Sequence, residues 1–136
     1  SGLDRKATYE YGKNLGMAFQ IKDDLFDFLG SEFQTGKESG GDVKKNMLTL
    51  PLIYSIEKTN RKDRNRLKAI IRKKKKNPEI IMEIKKIIEK SGGFKYANEK
   101  LDEFSSNAID SISSYNDGEI KNSLIELVHF NKDRIR

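Results

Sequence analysis

Apolar residues recur at spacings of three and four through most of this chain, which is the period of an amphipathic helix. The clearest run lies between Asn77-Pro78 and Gly92-Gly93, where five isoleucines share one face: Ile80, Ile81, Ile84, Ile87 and Ile88. Asparagine before proline is a common helix start, and glycine a common helix stop. This segment therefore predicts a helix with one buried face.

The same period extends over the rest of the chain and leaves only weak signals for strands. The other helices are predicted over about residues 4–29, from Thr49 onward, over about 61–75, over 94–113 and from Asn116 onward. The fold class predicted from this pattern is all-α, a helical bundle or part of one.

Residues at the helix ends support these boundaries. Asp4 is the predicted N-cap of the first helix, and Pro51 stands near the start of the helix that Thr49 caps. Asn116 and Glu119 fit a capping box for the last helix. That helix is predicted to bury four apolar side chains, those of Ile120, Leu124, Leu127 and Val128.

Three aspartates interrupt the apolar stretch "FQIKDDLFDFLG", residues 19–30. On a helix, residues three and four apart are neighbours, so Gln20, Asp23, Asp24 and Asp27 form one polar stripe. Carboxylates this close repel one another unless cations, protonation or bulk water offset their charge. Oxygen ligands without cysteine or histidine suit Mg²⁺, which commonly shares the phosphate oxygens of a ligand. The stripe predicts a Mg²⁺–diphosphate site, and a solvated acidic face is the competing interpretation.

The segment that follows, residues 30–47, has no helical period and is predicted to be a long loop. Lys37 supplies a cation for phosphate, and Asp42 adds a fourth carboxylate. Gly36, Gly40 and Gly41 allow close backbone approach, although flexible surface loops have the same composition.

The order of these motifs resembles the second aspartate-rich region of the trans-prenyl diphosphate synthases. The resemblance rests on "YGKNLGMAFQIKDDLFDFLG" and "TGKESGGDVKKNMLTLPLIY", which hold the family's YGxxLGxAFQ, DDxxD, GKxxGxD and TLP elements in order. Similarity continues in "GGFKYANEKLDEFSSNAIDSI" and in the basic ending "VHFNKDRIR". It covers essentially all 136 residues, but only about half of a family member.

The resemblance implies an isoprenoid-synthase-type helical bundle of which residues 1–136 are the C-terminal part. Family members hold two aspartate-rich motifs across a cavity, and this sequence contains a single DDxxD. The isolated chain is therefore expected to be inactive, with apolar surface uncovered around Phe19 and Phe26. The full-length protein is expected to be a cytoplasmic homodimer without a transmembrane segment.

The activity implied is Mg²⁺-dependent condensation of an allylic diphosphate with isopentenyl diphosphate, with release of pyrophosphate. By position, Asp23 and Asp24 would be the main Mg²⁺ contacts. Asp27 would act through water, and Asp42 would support the metal shell.

The resemblance also assigns substrate contacts. Lys37 would hold the allylic diphosphate, so that it counts with Asp23, Asp24 and Gln20 as catalytic. Phe19 and Gln20 would line the cavity near the reacting carbons. Arg134 and Arg136 resemble the basic tail that approaches the homoallylic diphosphate in relatives.

One position departs from the family pattern: Met47 stands where a lysine usually precedes TLP. This departure keeps open a non-catalytic relative, such as the regulatory subunit of a two-subunit prenyl synthase. A terpene cyclase shares the helical fold and the metal chemistry, but the order of the motifs favours chain elongation.

Charge is concentrated in residues 58–76, which hold eleven basic residues and one acidic residue, whereas the whole chain has a net charge of +6. An anionic membrane or a nucleic acid could bind such a surface, and a solvated helix is the simpler interpretation. No nucleic-acid partner is expected, because no aromatic residue is interleaved for stacking. The absence of cysteine excludes disulfides and thiolate metal sites.

Overall fold

The computed structural model describes residues 2–29, 49–73 and 77–134, with side chains from Arg5 to Phe26 in the first range. Six helices and no strand occur within these ranges, which confirms the all-α class. The helices are α1 (Gly2–Leu29), α2 (Leu50–Lys58), α3 (Arg61–Ile71), α4 (Pro78–Ser91), α5 (Gly93–Ser111) and α6 (Glu119–Asp133). None of these helices is long and apolar enough to cross a membrane.

Local capping explains where α3 and α4 begin and where α4 ends. The side-chain oxygen of Asn60 accepts from the backbone N–H of Asp63 at 2.8 Å, and that of Asn77 accepts from Ile80 N–H at 2.8 Å. Gly92 ends α4 with φ at 85°, a left-handed conformation that glycine adopts without steric penalty. The helix start at Asn77-Pro78 and the stop at Gly92 are thereby confirmed.

Two predicted N-cap residues are wrong. Helix α1 begins at Gly2, so Asp4 lies inside it. Helix α6 begins at Glu119, after Gly118 as its N-cap, so Asn116 lies outside it and makes no capping box. For α6 the physical reason is that Lys121 holds the preceding turn: its ammonium donates to the carbonyl oxygens of Ser113 and Tyr115, each at 3.1 Å.

The chain divides into two compact units, and the first comprises residues 1–22 and 99–134. Its core is formed by five buried side chains from α1, α5, the residue after α5, and α6: Tyr11, Leu15, Ala108, Ile112 and Val128. Tyr11 adds a hydrogen bond from its hydroxyl to the carbonyl oxygen of Leu124 at 2.7 Å. Two residues predicted to be buried in α6 are exposed, Ile120 by 74% and Leu127 by 40%.

The second unit comprises residues 23–98 together with 135–136, and in it α2, α3 and α4 contact one another. The isoleucine face of α4 is buried as predicted, at Ile81, Ile84, Ile87 and Ile88, and α3 contributes Leu67 and Ile70. At the start of α5 the backbone packs closely on α2. A Cβ atom added to Gly93 would lie 2.6 Å from the carbonyl oxygen of Pro51 and 2.5 Å from the hydroxyl of Ser55.

Candidate metal and diphosphate site

Asp23 and Asp24 lie in the part of α1 that belongs to the second unit. Asp24 is 8% exposed, and Asp23 is half-buried. The Oδ2 atom of Asp24 accepts a hydrogen bond from the backbone N–H of Leu50 at 3.3 Å. This bond joins the DDxxD motif to the TLP motif, two parts of the predicted site that are 26 residues apart.

The contact gives Asp24 the role of a helix cap supplied from outside α2. Leu50 is the first residue of α2, and Thr49, the residue in the N-cap position, makes no side-chain capping bond. The hydroxyl of Thr49 is buried and finds no hydrogen-bond partner among the residues that the structure describes. A carboxylate at a helix N-terminus satisfies a backbone donor and offsets the positive end of the helix dipole.

The opposite end of α2 is held by an arginine. Arg64 donates from Nε to the carbonyl oxygen of Ile56 at 2.7 Å, and from Nη2 to those of Glu57 and Thr59, each at 3.2 Å. A helix of nine residues is marginal by itself. Helix α2 thus has a negative group at its N-terminus and a positive group at its C-terminus, as the dipole favours.

The donor chemistry of Asp23 and Asp24 fits a hard divalent cation. Mg²⁺ is usually bound through one or two carboxylates, with water and phosphate oxygens completing its shell. The side chains in the described ranges include no cluster of three or more histidine, cysteine, aspartate or glutamate residues that could hold a metal by themselves. A site built from Asp23 and Asp24 would therefore need further oxygens from a ligand such as a diphosphate.

Several predicted site residues fall outside the part of the chain that the structure describes. Lys37, Asp42, Met47 and Arg136 are among them. Asp27 belongs to α1, but its side chain is outside the described set.

The remaining predicted residues, Phe19, Gln20 and Arg134, belong to the first unit. Arg134 packs on Phe19: its Cζ atom lies 4.9 Å from the ring centroid, and its Nη2 donates to the Phe19 carbonyl oxygen at 3.3 Å. Nε of Arg134 also donates to Oδ1 of Asn131 at 2.9 Å. Phe19 packs against the core of that unit, and Gln20 is exposed. The structure thus brings Arg134 and Phe19 together.

A second cation in this region, Lys22, was not predicted to have a role. Its ammonium donates to the carbonyl oxygen of Lys132 at 2.5 Å. Burial lowers the pKa of Lys22, and the charge of Arg134 lowers it further, while Asp133 opposes both effects. A lysine directly before two aspartates was the one sequence signal that pointed to it.

Residues 1–88 match the model of the family described as polyprenyl synthetase. This chain belongs to the polyprenyl synthetase family. The region that matches the polyprenyl synthetase model contains seven of the predicted site residues, whereas Arg134 and Arg136 lie beyond it. The seven are Phe19, Gln20, Asp23, Asp24, Asp27, Lys37 and Asp42.

Three related polyprenyl synthetases show how far the similarity extends. The chloroplastic solanesyl diphosphate synthase 1 of Arabidopsis thaliana is 35% identical over 127 residues, which make up 93% of this chain and 30% of that protein. The geranylgeranyl pyrophosphate synthetase of Pyrococcus horikoshii has a TM-score of 0.90 at 28% identity, covering 98% of this chain and 40% of that one. A geranylgeranyl pyrophosphate synthase of Corynebacterium glutamicum, crystallised with calcium and isoprenyl diphosphate, is 26% identical with a TM-score of 0.79. It covers 95% of this chain and 40% of that one.

These comparisons assign the helices of this chain to the helical isoprenoid-synthase fold. The chain spans about 30% of the length of the Arabidopsis relative. The products in the names of these relatives, solanesyl and geranylgeranyl diphosphate, differ in chain length, so membership of the family does not specify a product length for this chain.

Proposed function

We propose that this chain carries the second aspartate-motif wall of a Mg²⁺-dependent prenyltransferase that condenses an allylic diphosphate with isopentenyl diphosphate. The observation that carries the proposal is the hydrogen bond from Leu50 N–H to Asp24, because it unites the DDxxD and TLP motifs in one place. The relative crystallised with calcium and isoprenyl diphosphate supports a divalent cation and an isoprenoid diphosphate as ligands.

In the proposed reaction, the allylic carbon–oxygen bond breaks and its electron pair leaves with pyrophosphate. The double bond of isopentenyl diphosphate then forms the new carbon–carbon bond, and the resulting cation loses a proton. The difficult step is charge development on the leaving diphosphate, and bound Mg²⁺ would supply the stabilising charge.

The residues of this chain divide that work between them. Asp23 and Asp24 would hold the cation, with Asp27 and Asp42 as further oxygen donors. The ammonium of Lys37 would bind the allylic diphosphate and neutralise part of its charge.

Other side chains would shape the substrate cavity. Phe19 and Gln20 would line it near the reacting carbons. Arg134 and Arg136 would approach the homoallylic diphosphate, which for Arg134 requires release from Phe19 and Asn131. A homodimeric assembly and a cytoplasmic location remain predictions.

A non-catalytic regulatory subunit is the second candidate, and Met47 in place of the usual lysine is the observation that favours it. The two functions differ in what Met47→Lys should do in a synthase that contains this chain. A catalytic chain should bind its allylic substrate more tightly after the change. A regulatory chain should show no change in that affinity.

Metal and anion binding tests the proposal on the chain itself. The melting temperature of the chain should rise little with Mg²⁺ or pyrophosphate alone and clearly with both, because each supplies charge that the other lacks. Binding at a ligand concentration of 100 times Kd adds about 2.7 kcal/mol to the unfolding free energy. The double variant Asp23→Asn plus Asp24→Asn should remove this increase, because each asparagine keeps the shape of the aspartate side chain but lacks its negative charge.

The control variant changes net charge equally at two exposed acids, Asp110→Asn plus Glu126→Gln, and should retain the increase. An increase that persists in the Asp23/Asp24 variant would locate the site elsewhere. Asp24→Ala should also destabilise the ligand-free chain by about 1–2 kcal/mol more than Asp24→Asn, because only asparagine can still accept from Leu50 N–H.

A further inference from the structure

Helix α3 and the two residues that follow it concentrate the positive charge of this chain. Residues 61–73 hold seven basic residues and one acidic residue, a surplus as large as that of the whole chain. Helices α5 and α6 carry more acidic than basic residues, and α4 carries three of each. Among the described helices the surplus is therefore local to α3 and the two residues that follow it.

Contacts within the second unit use part of this charge. Arg64 donates to the carbonyls at the end of α2. Arg66 forms a two-pronged pair with Glu83, with N···O distances of 2.6 and 2.9 Å. Asp63 accepts from Asn60 and lies 3.6 Å from the ammonium of Lys90, so the acid of α3 is also engaged.

Four basic side chains remain on the outer side of α3. They are Arg61, Lys62, Lys68 and Arg72, and together they form what is called here the basic face. All four are exposed, and none makes a hydrogen bond or ion pair through its side chain with the residues the structure describes. Arg61, Lys68 and Arg72 follow one another at helical spacings of seven and four, which aligns them along a single stripe.

The apolar side of α3 limits how this surface can bind. Leu67 and Ile70 are fully buried inside the unit, so α3 has no apolar face left to insert into a lipid layer. No aromatic residue lies in α3, so the basic face offers no platform for unpaired bases. These properties fit the binding of an extended anionic surface through charge alone.

We propose that the basic face docks this protein onto an anionic membrane surface. The choice of a membrane rests on the proposed function. Each condensation lengthens the apolar chain of a product that keeps its diphosphate head, so the product is an amphiphile that belongs at a membrane–water boundary. Basic side chains near such a surface each contribute about a fivefold gain in affinity.

The test is cosedimentation of the 136-residue chain with vesicles of phosphatidylcholine, with or without about one third phosphatidylglycerol. The chain should bind the anionic vesicles at low salt, and should bind neither neutral vesicles nor anionic ones at high salt, where screening is strong. Replacing Arg61, Lys62, Lys68 and Arg72 by glutamine should weaken binding by about 100-fold or more.

A matched variant carries the same loss of charge at exposed sites outside α3, with Arg5, Lys6, Lys13 and Lys95 replaced by glutamine. It should retain most of the binding. Equal losses in both variants, or no binding of the native chain to anionic vesicles, would overturn the proposal. Binding of an RNA duplex through the basic face without binding of vesicles would also overturn it, in favour of a nucleic-acid surface.

The same variants separate this inference from the proposed function. The basic-face variant should keep its stabilisation by Mg²⁺ and pyrophosphate, because α3 supplies none of the proposed ligands. Vesicle binding without that stabilisation would leave the docking surface in place and remove the prenyltransferase proposal.

Discussion

Arg134 lies over the ring of Phe19 at 4.9 Å and also donates to the Phe19 carbonyl oxygen. The contact joins the residue that follows α6 to the middle of α1, across 115 positions of the chain. A residue predicted from the family pattern to meet substrate is therefore also a structural contact of the first unit.

Arg134→Gln should lower the free energy of unfolding by about 1 kcal/mol, because it removes a cation–π contact and weakens the hydrogen bonds of the guanidinium. Urea unfolding of this variant and of Arg5→Gln, an exposed control, measures the difference. A double-mutant cycle with Phe19→Leu should give a coupling of about 0.5–1 kcal/mol. Equal stability of Arg134→Gln and Arg5→Gln would contradict the contact.

The second prediction concerns alkaline pH. Burial raises the pKa of Tyr11, whose hydroxyl donates to Leu124. A raised pKa means that the stability contributed by the neutral phenol is complete below about pH 10 and is lost as the pH rises through the folded-state value. Tyr11→Phe should cost about 1 kcal/mol near neutrality, and its deficit should shrink above about pH 10.

Lys22 has the opposite sign, because its lowered pKa means that folding disfavours its charged form relative to the unfolded chain. Its contribution is present above about pH 10.5 and is lost as the pH falls through the lowered value. This effect is common to the native chain and Tyr11→Phe, so it cancels in the difference between their unfolding free energies. A deficit that stays constant from pH 7 to above about pH 10 would refute the assignment to Tyr11.

The parts of the fold that could be predicted from the sequence are those that depend on residues close together in the chain. The caps at Asn77 and Gly92 depend on residues three or four positions away, and both were found. The capping box at Asn116 failed because Lys121 organises the preceding turn through side-chain contacts that periodicity does not contain. Of the helix predicted to carry uncovered apolar surface, Phe19 and Phe26 are half-buried and Met17 is exposed, and apolar side chains are also exposed at Tyr9 and Phe130.

The sequence predicted which residues make up the candidate site, but not which of them contact one another. The aspartates, the lysine and the TLP start are visible as motifs, and their joint order identified the family. The hydrogen bond between Asp24 and Leu50 is a contact over 26 positions, and neither helical period nor propensity encodes it. The sequence predicts Thr49 as the cap of α2, and only the structure shows that its side chain makes no capping bond.

A third prediction uses the close approach at Gly93. A methyl group there would meet the Pro51 carbonyl, the Ser55 hydroxyl and Ile88, all within 2.8 Å. Gly93→Ala should therefore destabilise the chain by about 1–3 kcal/mol through overpacking. Gly16→Ala is the control: a Cβ atom added there would meet no atom of another described element within 4 Å, and alanine in the interior of α1 should stabilise by up to about 1 kcal/mol. Thermal unfolding of both variants checks the sign of each change.

A fourth prediction concerns turnover. The 136-residue chain incubated with an allylic diphosphate, isopentenyl diphosphate and Mg²⁺ should form no elongated product, because its sequence holds one DDxxD where the proposed reaction needs two facing walls. Measurable elongation by the chain alone would refute the two-wall requirement. In an active synthase that includes this chain, Asp23→Ala or Lys37→Ala should reduce turnover by orders of magnitude while stability changes little.

The cap on α2 has a consequence for the order in which ligands assemble. A bare helix N-terminus attracts anions, but that of α2 already holds the carboxylate of Asp24, with Asp23 adjacent to it in the chain. The field that would draw a diphosphate toward α2 is thereby neutralised in advance. A diphosphate arriving alone would meet repulsion from these carboxylates, whereas one arriving after the divalent cation would meet attraction. At the proposed site we therefore expect the cation to bind before the diphosphate, so that the association rate of the diphosphate should increase with the concentration of Mg²⁺ until the carboxylates are saturated.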